Sequence, residues 1–248
     1  MGGKIETPSS SSPEAAPQAP DLASLQPGDR HYRAYVGPAL EYDLVGASQF
    51  NLLTTLGLRS AHRCLDVGCG SLRAGRLLIP YLDPCRYFGI EPNAWLLQDG
   101  VGHEVGHDLV RIKQPSFDHN STLDCGVFGV KFDFILAQSI FSHTGQDMLR
   151  PALASASAAL AGDGLLVATF VRPERKPNAA RGENASGWIY PKVVTYPVER
   201  WIELCAGAGL HARLLPWRHP RQQWFAAALD PAVLPPPDFD QHLTGVTR

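Results

Sequence analysis

The chain has 248 residues, of which 44% are hydrophobic and 19% charged, and a formal charge of -2. That length and apolar content suit one sizeable buried core. The near-neutral charge leaves no electrostatic footprint for nucleic acid or an anionic membrane, and no apolar run reaches the ~18 residues of a membrane span.

Residues 1–26 are rich in Ser, Pro and Ala and contain no aromatic residue. They cannot bury enough surface to offset the entropy of ordering, so a disordered tail is expected. Residues 27–230 are expected to form the folded domain, opening with a helical cap. Residues 231–248, with the run Pro235-Pro236-Pro237, are expected to be a loose C-terminal tail. The N-terminus lacks the apolar core of a signal peptide. Five cysteines, at 64, 69, 85, 125 and 205, form no C-x-x-C pair and no disulfide framework. Reduced thiols and a cytoplasmic location are therefore expected.

Within the domain, helical and strand patterns alternate. Residues 43–58 form an amphipathic helical pattern that stops near Gly57. Residues 63–70, "RCLDVGCG", are a short apolar run entering a glycine turn, and 76–82 are helical. "YFGIE" (87–91) is a strand and 95–109 a helix, with Leu97, Val101, Val105 and Leu109 on one stripe. "KFDFILAQ" (131–138) and "GLLVATFV" (164–171) are nearly all apolar, as expected for the buried middle of a parallel sheet. Residues 149–162 and 197–210 are helices, the first stopping at Gly162. Residues 212–217 and 223–229 are close enough in sequence to pair antiparallel. This alternation implies an α/β doubly wound sheet.

The string His103-Glu104-Val105-Gly106-His107 matches H-E-x-x-H, in which two histidines one turn apart hold zinc and the glutamate is the base. The surroundings oppose that reading. On a helix whose apolar stripe runs through Leu97 and Leu109, both histidines point to water. The extended motif would need glycine at 110 and histidine at 113, where Val110 and Lys113 stand. Two glycines inside the motif weaken a metal-holding helix. No metal is expected.

The turn "GCGSLRAG" (68–75) between a strand and a helix can cradle a nucleotide. Gly68 and Gly70 allow close backbone approach, and the next helix presents free N–H groups. Arg73 stands where the dinucleotide pattern G-x-G-x-x-G needs its third glycine, which disfavours a nicotinamide or flavin site and hence a dehydrogenase. Glu91 ends the next strand, where an acid accepts hydrogen bonds from ribose hydroxyls.

"LDVGCGSLRAGRLL", "YFGIEPN", "FDFILAQSIFSHT" and "LAGDGLLVATF", in this order and spacing, resemble class I S-adenosylmethionine-dependent methyltransferases. The resemblance covers residues 40–230. It implies a Rossmann-like, doubly wound, seven-stranded sheet, mostly parallel with an antiparallel last strand, and S-adenosyl-L-methionine as cofactor. It further implies that Asp66, Gly68, Cys69 and Gly70 line the methionine part, that Glu91 with Pro92 holds the ribose, and that Gln138 lies near the methionine amino group. Thr122 and Leu123 stand in the stretch that contacts adenine in the family, where the usual acid is either displaced to Asp124 or absent, with Asp118 as another candidate.

His143, five residues past the central strand, and His219, in the hairpin turn, are the candidate bases for methyl transfer. The long segment 172–197 is a candidate lid, with Trp188 and Tyr190 as substrate contacts. Tyr42 and Gln49, in the cap, are further substrate candidates. No N-P-P-Y-like turn follows the central strand, which argues against nucleic-acid bases as acceptors. A small molecule methylated on oxygen or nitrogen is the expected substrate, with a sugar or glycan, or a non-catalytic cofactor-binding accessory role, as alternatives. The acceptor and the oligomeric state are left open.

Overall fold

The computed structural model of the protein describes residues 21–244. Residues 1–20 of the expected N-terminal tail, and 245–248, lie outside that range. Seven strands form one sheet: β1 (Cys64–Val67), β2 (Tyr87–Ile90), β3 (Ser116–Asp118), β4 (Phe132–Ala137), β5 (Leu160–Phe170), β6 (His211–Leu215) and β7 (Gln223–Ala228). Their spatial order is β3-β2-β1-β4-β5-β7-β6. Every neighbouring pair is parallel except those made by β7, which runs antiparallel to both β5 and β6. The β6–β7 hairpin explains this: two strands joined by a short turn must run opposite ways.

Eight helices accompany the sheet among the described residues: α1 (Tyr32–Tyr35), α2 (Tyr42–Thr55), α3 (Gly75–Tyr81), α4 (Ala94–Gly100), α5 (His107–Lys113), α6 (Gln146–Ala159), α7 (Val198–Gly207) and α8 (Asp240–Leu243). Alternate strand residues enter two separate cores. Leu65, Ile135 and Leu166 pack with Leu149 and Leu153 of α6 and Trp201 of α7. Cys64, Phe134 and Leu136 pack with Leu52 and Leu53 of α2 and Leu78 of α3. Both sheet faces are therefore dry, which is why the central strands carry no polar alternation.

Four expectations change. The single helix over 95–109 divides into α4, a π-turn at Val101–Val105 and α5, because Gly106 takes φ +86° and breaks the helix. The apolar stripe survives the break, with Leu97, Val101, Val105 and Leu109 all against the α2–α3 core. Helix α6 starts three residues before the expected 149 and ends at Ala159, so Gly162 lies inside β5. Strand β3 has no counterpart in the sequence reading. The expected loose tail from 231 packs instead: Leu243 is buried, and Arg213 reaches back to Asp240 at 2.6 Å.

The five cysteines are free thiols, with Cys85 alone exposed.

Candidate functional site

The strand order reverses between β1 and β4, and in open α/β sheets ligands lie at the carboxyl ends beside such a switch. A cavity of about 310 Å³ opens there, lined by Gly68, Gly70, Arg73, Glu91 and Gln138. The turn after β1 forms one wall. Gly68 has φ +69° and Gly70 φ +56°, conformations that suit glycine. A Cβ on Gly68 would lie 2.0 Å from Ile140 Cδ1, and one on Gly70 would lie 2.6 Å from Val36 Cγ1. A side chain at either position would be strained by the dihedral and would have to displace Ile140 or Val36.

Glu91 forms the opposite wall. Its Oε2 accepts the Gly70 N–H at 3.1 Å, and its Oε1 accepts the Asn93 N–H at 2.8 Å and the Asn93 side-chain amide at 2.7 Å. Burial pushes its pKa up, and these donors pull it back. The cavity continues past Ser121 and Leu123 after β3, and past Ser139 and Ile140 after β4. Ser139 takes φ +64° and is pinned by its N–H to Thr169 Oγ1 at 2.8 Å. Overhead, Tyr35 and Val36 from the cap meet Trp188 and Tyr190 from the loop after β5. The Tyr190 hydroxyl donates to the Tyr35 carbonyl, tying loop to cap.

Several of the expected site residues line this cavity: Gly68, Gly70, Glu91, Pro92, Leu123, Gln138, Trp188 and Tyr190. Others stand behind its walls. Asp66 is buried in β1, where its Oδ2 accepts the Tyr87 hydroxyl at 3.0 Å, because alternate strand residues point away from the turn. Burial raises its pKa to about 7. The Cys69 side chain packs over Gly89. Thr122 is exposed and bonds to Asn120, leaving Ser121 at the cavity instead. Asp124 caps the turn at Cys125–Phe128, and Asp118 holds Asn120. Tyr42 is buried with its hydroxyl on the Ser71 carbonyl at 2.8 Å. Gln49 is buried too, supporting Gln138 at 3.2 Å.

Neither candidate base lines the cavity. His143 is buried beneath Trp188 and Tyr190, and its Nδ1 lies 2.6 Å from the Lys192 carbonyl. His219 sits outside Gln138, with Nε2 facing that amide at 3.2 Å. Burial lowers the pKa of both, His219 to about 4 with help from Arg221 and Arg73.

The H-E-x-x-H string serves the cap. His103 and His107 are exposed, and His103 stacks on Tyr32 at 4.9 Å. Glu104 ion-pairs with Arg33 at 2.7 Å and Arg76 at 3.5 Å. Among the described residues no group of three or more His, Cys, Asp or Glu is placed to hold a metal.

Residues 65–166, from β1 to the middle of β5, match a family model described as a methyltransferase domain. Those residues are a methyltransferase domain, and the sheet that carries them has the class I, Rossmann-like methyltransferase fold. No curated protein matches it by sequence. Solved structures share this fold at low identity. Magnesium protoporphyrin IX methyltransferase from Synechocystis, with bound S-adenosylhomocysteine, has a TM-score of 0.56 at 13% identity, over 77% of this chain and 84% of that one. The CcbJ methyltransferase from Streptomyces caelestis has 0.56 at 15%, over 74% and 95%. The glycopeptide N-methyltransferase MtfA, complexed with S-adenosyl-L-homocysteine, has 0.57 at 12%, over 75% and 90%.

The cavity also includes residues that no sequence pattern marks. Tyr35, Val36, Ser139 and Met148 carry no motif and meet only through folding. Arg73, which stands in place of the third glycine of a dinucleotide motif, lines it as well. No helix among the described residues is long and apolar enough to cross a membrane.

Proposed function

We propose that the protein transfers a methyl group from S-adenosylmethionine to an oxygen or nitrogen of a small molecule. The observation that carries this is the cavity at the switch point, with two Cβ-less residues on one wall, a buried carboxylate on the other, and aromatic side chains overhead. These features fit the cofactor. The Gly68–Gly70 backbone has room to lie against its amino-acid and thioether part. Glu91, fixed by Gly70 and Asn93, keeps oxygen lone pairs for ribose hydroxyls. Ser121 and Leu123 bound the space for the base. When bound, the cofactor supplies a methyl group activated by a positively charged sulfur.

What the chain adds is position and dryness. Methyl transfer is an in-line displacement, and holding the nucleophile near ~3 Å from the methyl carbon supplies much of the rate. Tyr35, Trp188 and Tyr190 enclose the reacting space from two segments. Trp188 is 47% exposed, which makes it the natural first contact for an acceptor arriving from solvent. The titratable groups lining the cavity are Tyr35, Arg73, Glu91 and Tyr190, and burial pushes Tyr190 up to about 12. Neither candidate histidine is among the lining residues. We therefore assign His143 to positioning the loop through Lys192, and His219 to orienting Gln138, and expect the acceptor to bring its own reactive lone pair.

The test uses radiolabelled methyl donor with a panel of phenols, carboxylates, amines and glycosides. Label recovered in a small-molecule product supports the proposal. Tight binding of S-adenosylhomocysteine with no transfer to any acceptor favours the accessory reading.

A further inference from the structure

Trp188 lines the cavity and is half exposed, yet its backbone is fixed from both sides. It pairs antiparallel with Thr144. The Gly145 N–H donates to the Gly187 carbonyl at 2.8 Å, and the Ile189 N–H to the His143 carbonyl at 2.9 Å. Asp147 accepts the Gly187 N–H at 2.9 Å and the Ser186 hydroxyl at 2.6 Å. An indole held this way and left uncovered keeps apolar surface in water that a ligand can take out of it. Because the backbone is already ordered, little further entropy is lost when it does.

The neighbouring rings extend the same surface. Tyr190 lies within 26° of parallel to Trp188 at 6.2 Å, Tyr35 meets Tyr190 at 5.7 Å, and Trp95 meets Tyr35 edge-on at 5.2 Å. His143 props Trp188 and Tyr190 from beneath, at 5.6 and 4.8 Å. The Tyr190 hydroxyl is taken by the Tyr35 carbonyl, so this end of the cavity offers ring surface rather than hydrogen bonds. Val36, Ile140 and Met148 continue the apolar lining. The ionic side chains that line the cavity, Arg73 and Glu91, are engaged at the glycine turn: Arg73 with Val36 and Gln138, Glu91 with Gly70 and Asn93. A sugar brings hydroxyls that each need a partner, and a charged acceptor needs a counter-charge. The aromatic end supplies neither.

We propose that the acceptor is an uncharged, flat aromatic ring carrying its own hydroxyl or amino nucleophile, seated against Trp188 and Tyr190, and that Trp188 sets this selectivity. This rests on the cavity being the S-adenosylmethionine site and on transfer to a small molecule. In the transfer the bond from the methyl carbon to sulfur breaks and its electron pair stays on sulfur. A lone pair of the ring substituent forms the new bond, and the substituent's proton leaves to water. A flat ring meets the aromatic surface over its whole face, which a puckered ring of the same skeleton cannot do.

Calorimetry on the full chain saturated with S-adenosylhomocysteine tests this with three ligands: the two-ring phenol β-naphthol, its fully saturated counterpart, and methyl glucoside. Simple burial of apolar area favours the saturated compound, so a preference for the flat one reports the aromatic seat. The unmodified protein should bind β-naphthol ~5–100-fold more tightly than the saturated ring, the range of two aromatic contacts, and the glucoside more weakly still. Trp188→Leu should cut the preference by ~2–10-fold and Trp188→Phe keep most of it, with affinity for S-adenosylhomocysteine moving less than ~3-fold in either. Equal binding of the two rings overturns the proposal, as does tighter binding of the glucoside. So does a Trp188→Leu protein that keeps the full preference, or one that loses affinity for S-adenosylhomocysteine as well, which would make Trp188 a cofactor contact. If Trp188→Leu does not fold, the comparison on the unmodified protein still decides. Should S-adenosylhomocysteine bind and neither ring follow, the aromatic seat falls while the cofactor site stands. Should S-adenosylhomocysteine itself fail to bind, the reading beneath the proposal falls with it.

Discussion

The Gly70 N–H donates to Glu91 Oε2 at 3.1 Å, so the glycine turn after β1 and the acid after β2 form one unit. β1 and β2 are adjacent and parallel, with Val67 beside Ile90, which brings both carboxyl ends to the same place. The carboxylate thus steadies the turn while presenting lone pairs to the cavity. Glu91→Gln should keep the shape and lose the charge. S-Adenosylhomocysteine should bind ~10–100-fold more weakly to it, as expected when a charged acceptor for hydroxyl donors is removed. Because burial raises the Glu91 pKa, binding by the unmodified protein should also weaken as pH falls through that raised value. Calorimetry across acidic to neutral pH checks both, and the Glu91→Gln protein should lack the pH effect.

Asp66 should make the free protein less stable at alkaline pH. Burial raises its pKa to about 7, so the fold prefers the protonated carboxyl. The contribution is full below the unfolded value near ~4 and is lost as pH rises through about 7. Asp66→Asn cannot ionise and still accepts from the Tyr87 hydroxyl. It should be more stable than the unmodified chain by ~1–3 kcal/mol at pH ~8, with the gap closing toward pH ~4. Urea unfolding at both pH values measures this.

The histidines should leave no step in the rate profile near neutral pH. Burial lowers the His143 pKa and takes His219 to about 4, so both rings are neutral above pH ~6.5. For a base depressed in the fold, stability is present above the unfolded value and lost as pH falls through the folded one. His143→Ala should lower Tm and raise KM for the acceptor by freeing the loop held through Lys192, with the pH profile of kcat keeping its form. A profile that loses an inflection in this variant would instead make His143 a base.

Glu104 and the two histidines beside it should behave oppositely. The Glu104 carboxylate is 7% exposed and joins Arg33 of the cap to Arg76 of α3. Glu104→Gln should cost ~1–3 kcal/mol, because it removes the buried anion and leaves both arginines only the exposed Asp43. His103→Ala should cost less than ~1 kcal/mol through the lost stacking on Tyr32, and His107→Ala nearly nothing. Elemental analysis should give the same zinc content for all four proteins.

Much of this site could be read in the sequence, and its limits have physical causes. Gly68, Gly70 and Glu91 were legible because a tight turn and a strand-end acid impose residue types at fixed spacing. Strand β3 was not, because Ser116–Asp118 is three half-buried residues at a sheet edge, too short for a period to register. The break of the helix at Gly106 was masked by an apolar stripe that continues across it. Leu243 looked like part of a tail because one buried residue, four beyond Phe239, makes no pattern.

By itself the sequence determined the alternating α/β order, the antiparallel pairing of the last two strands in the chain, and the glycine turn with its acid, because local spacing and continuous apolar runs dictate them. Only the tertiary structure decided which side chains face the cavity. It set Asp66, Tyr42 and both histidines behind the walls, and turned Arg73 inward to meet Gln138 across 65 residues of chain. Such meetings depend on how helices close over strand ends, and no local preference encodes them.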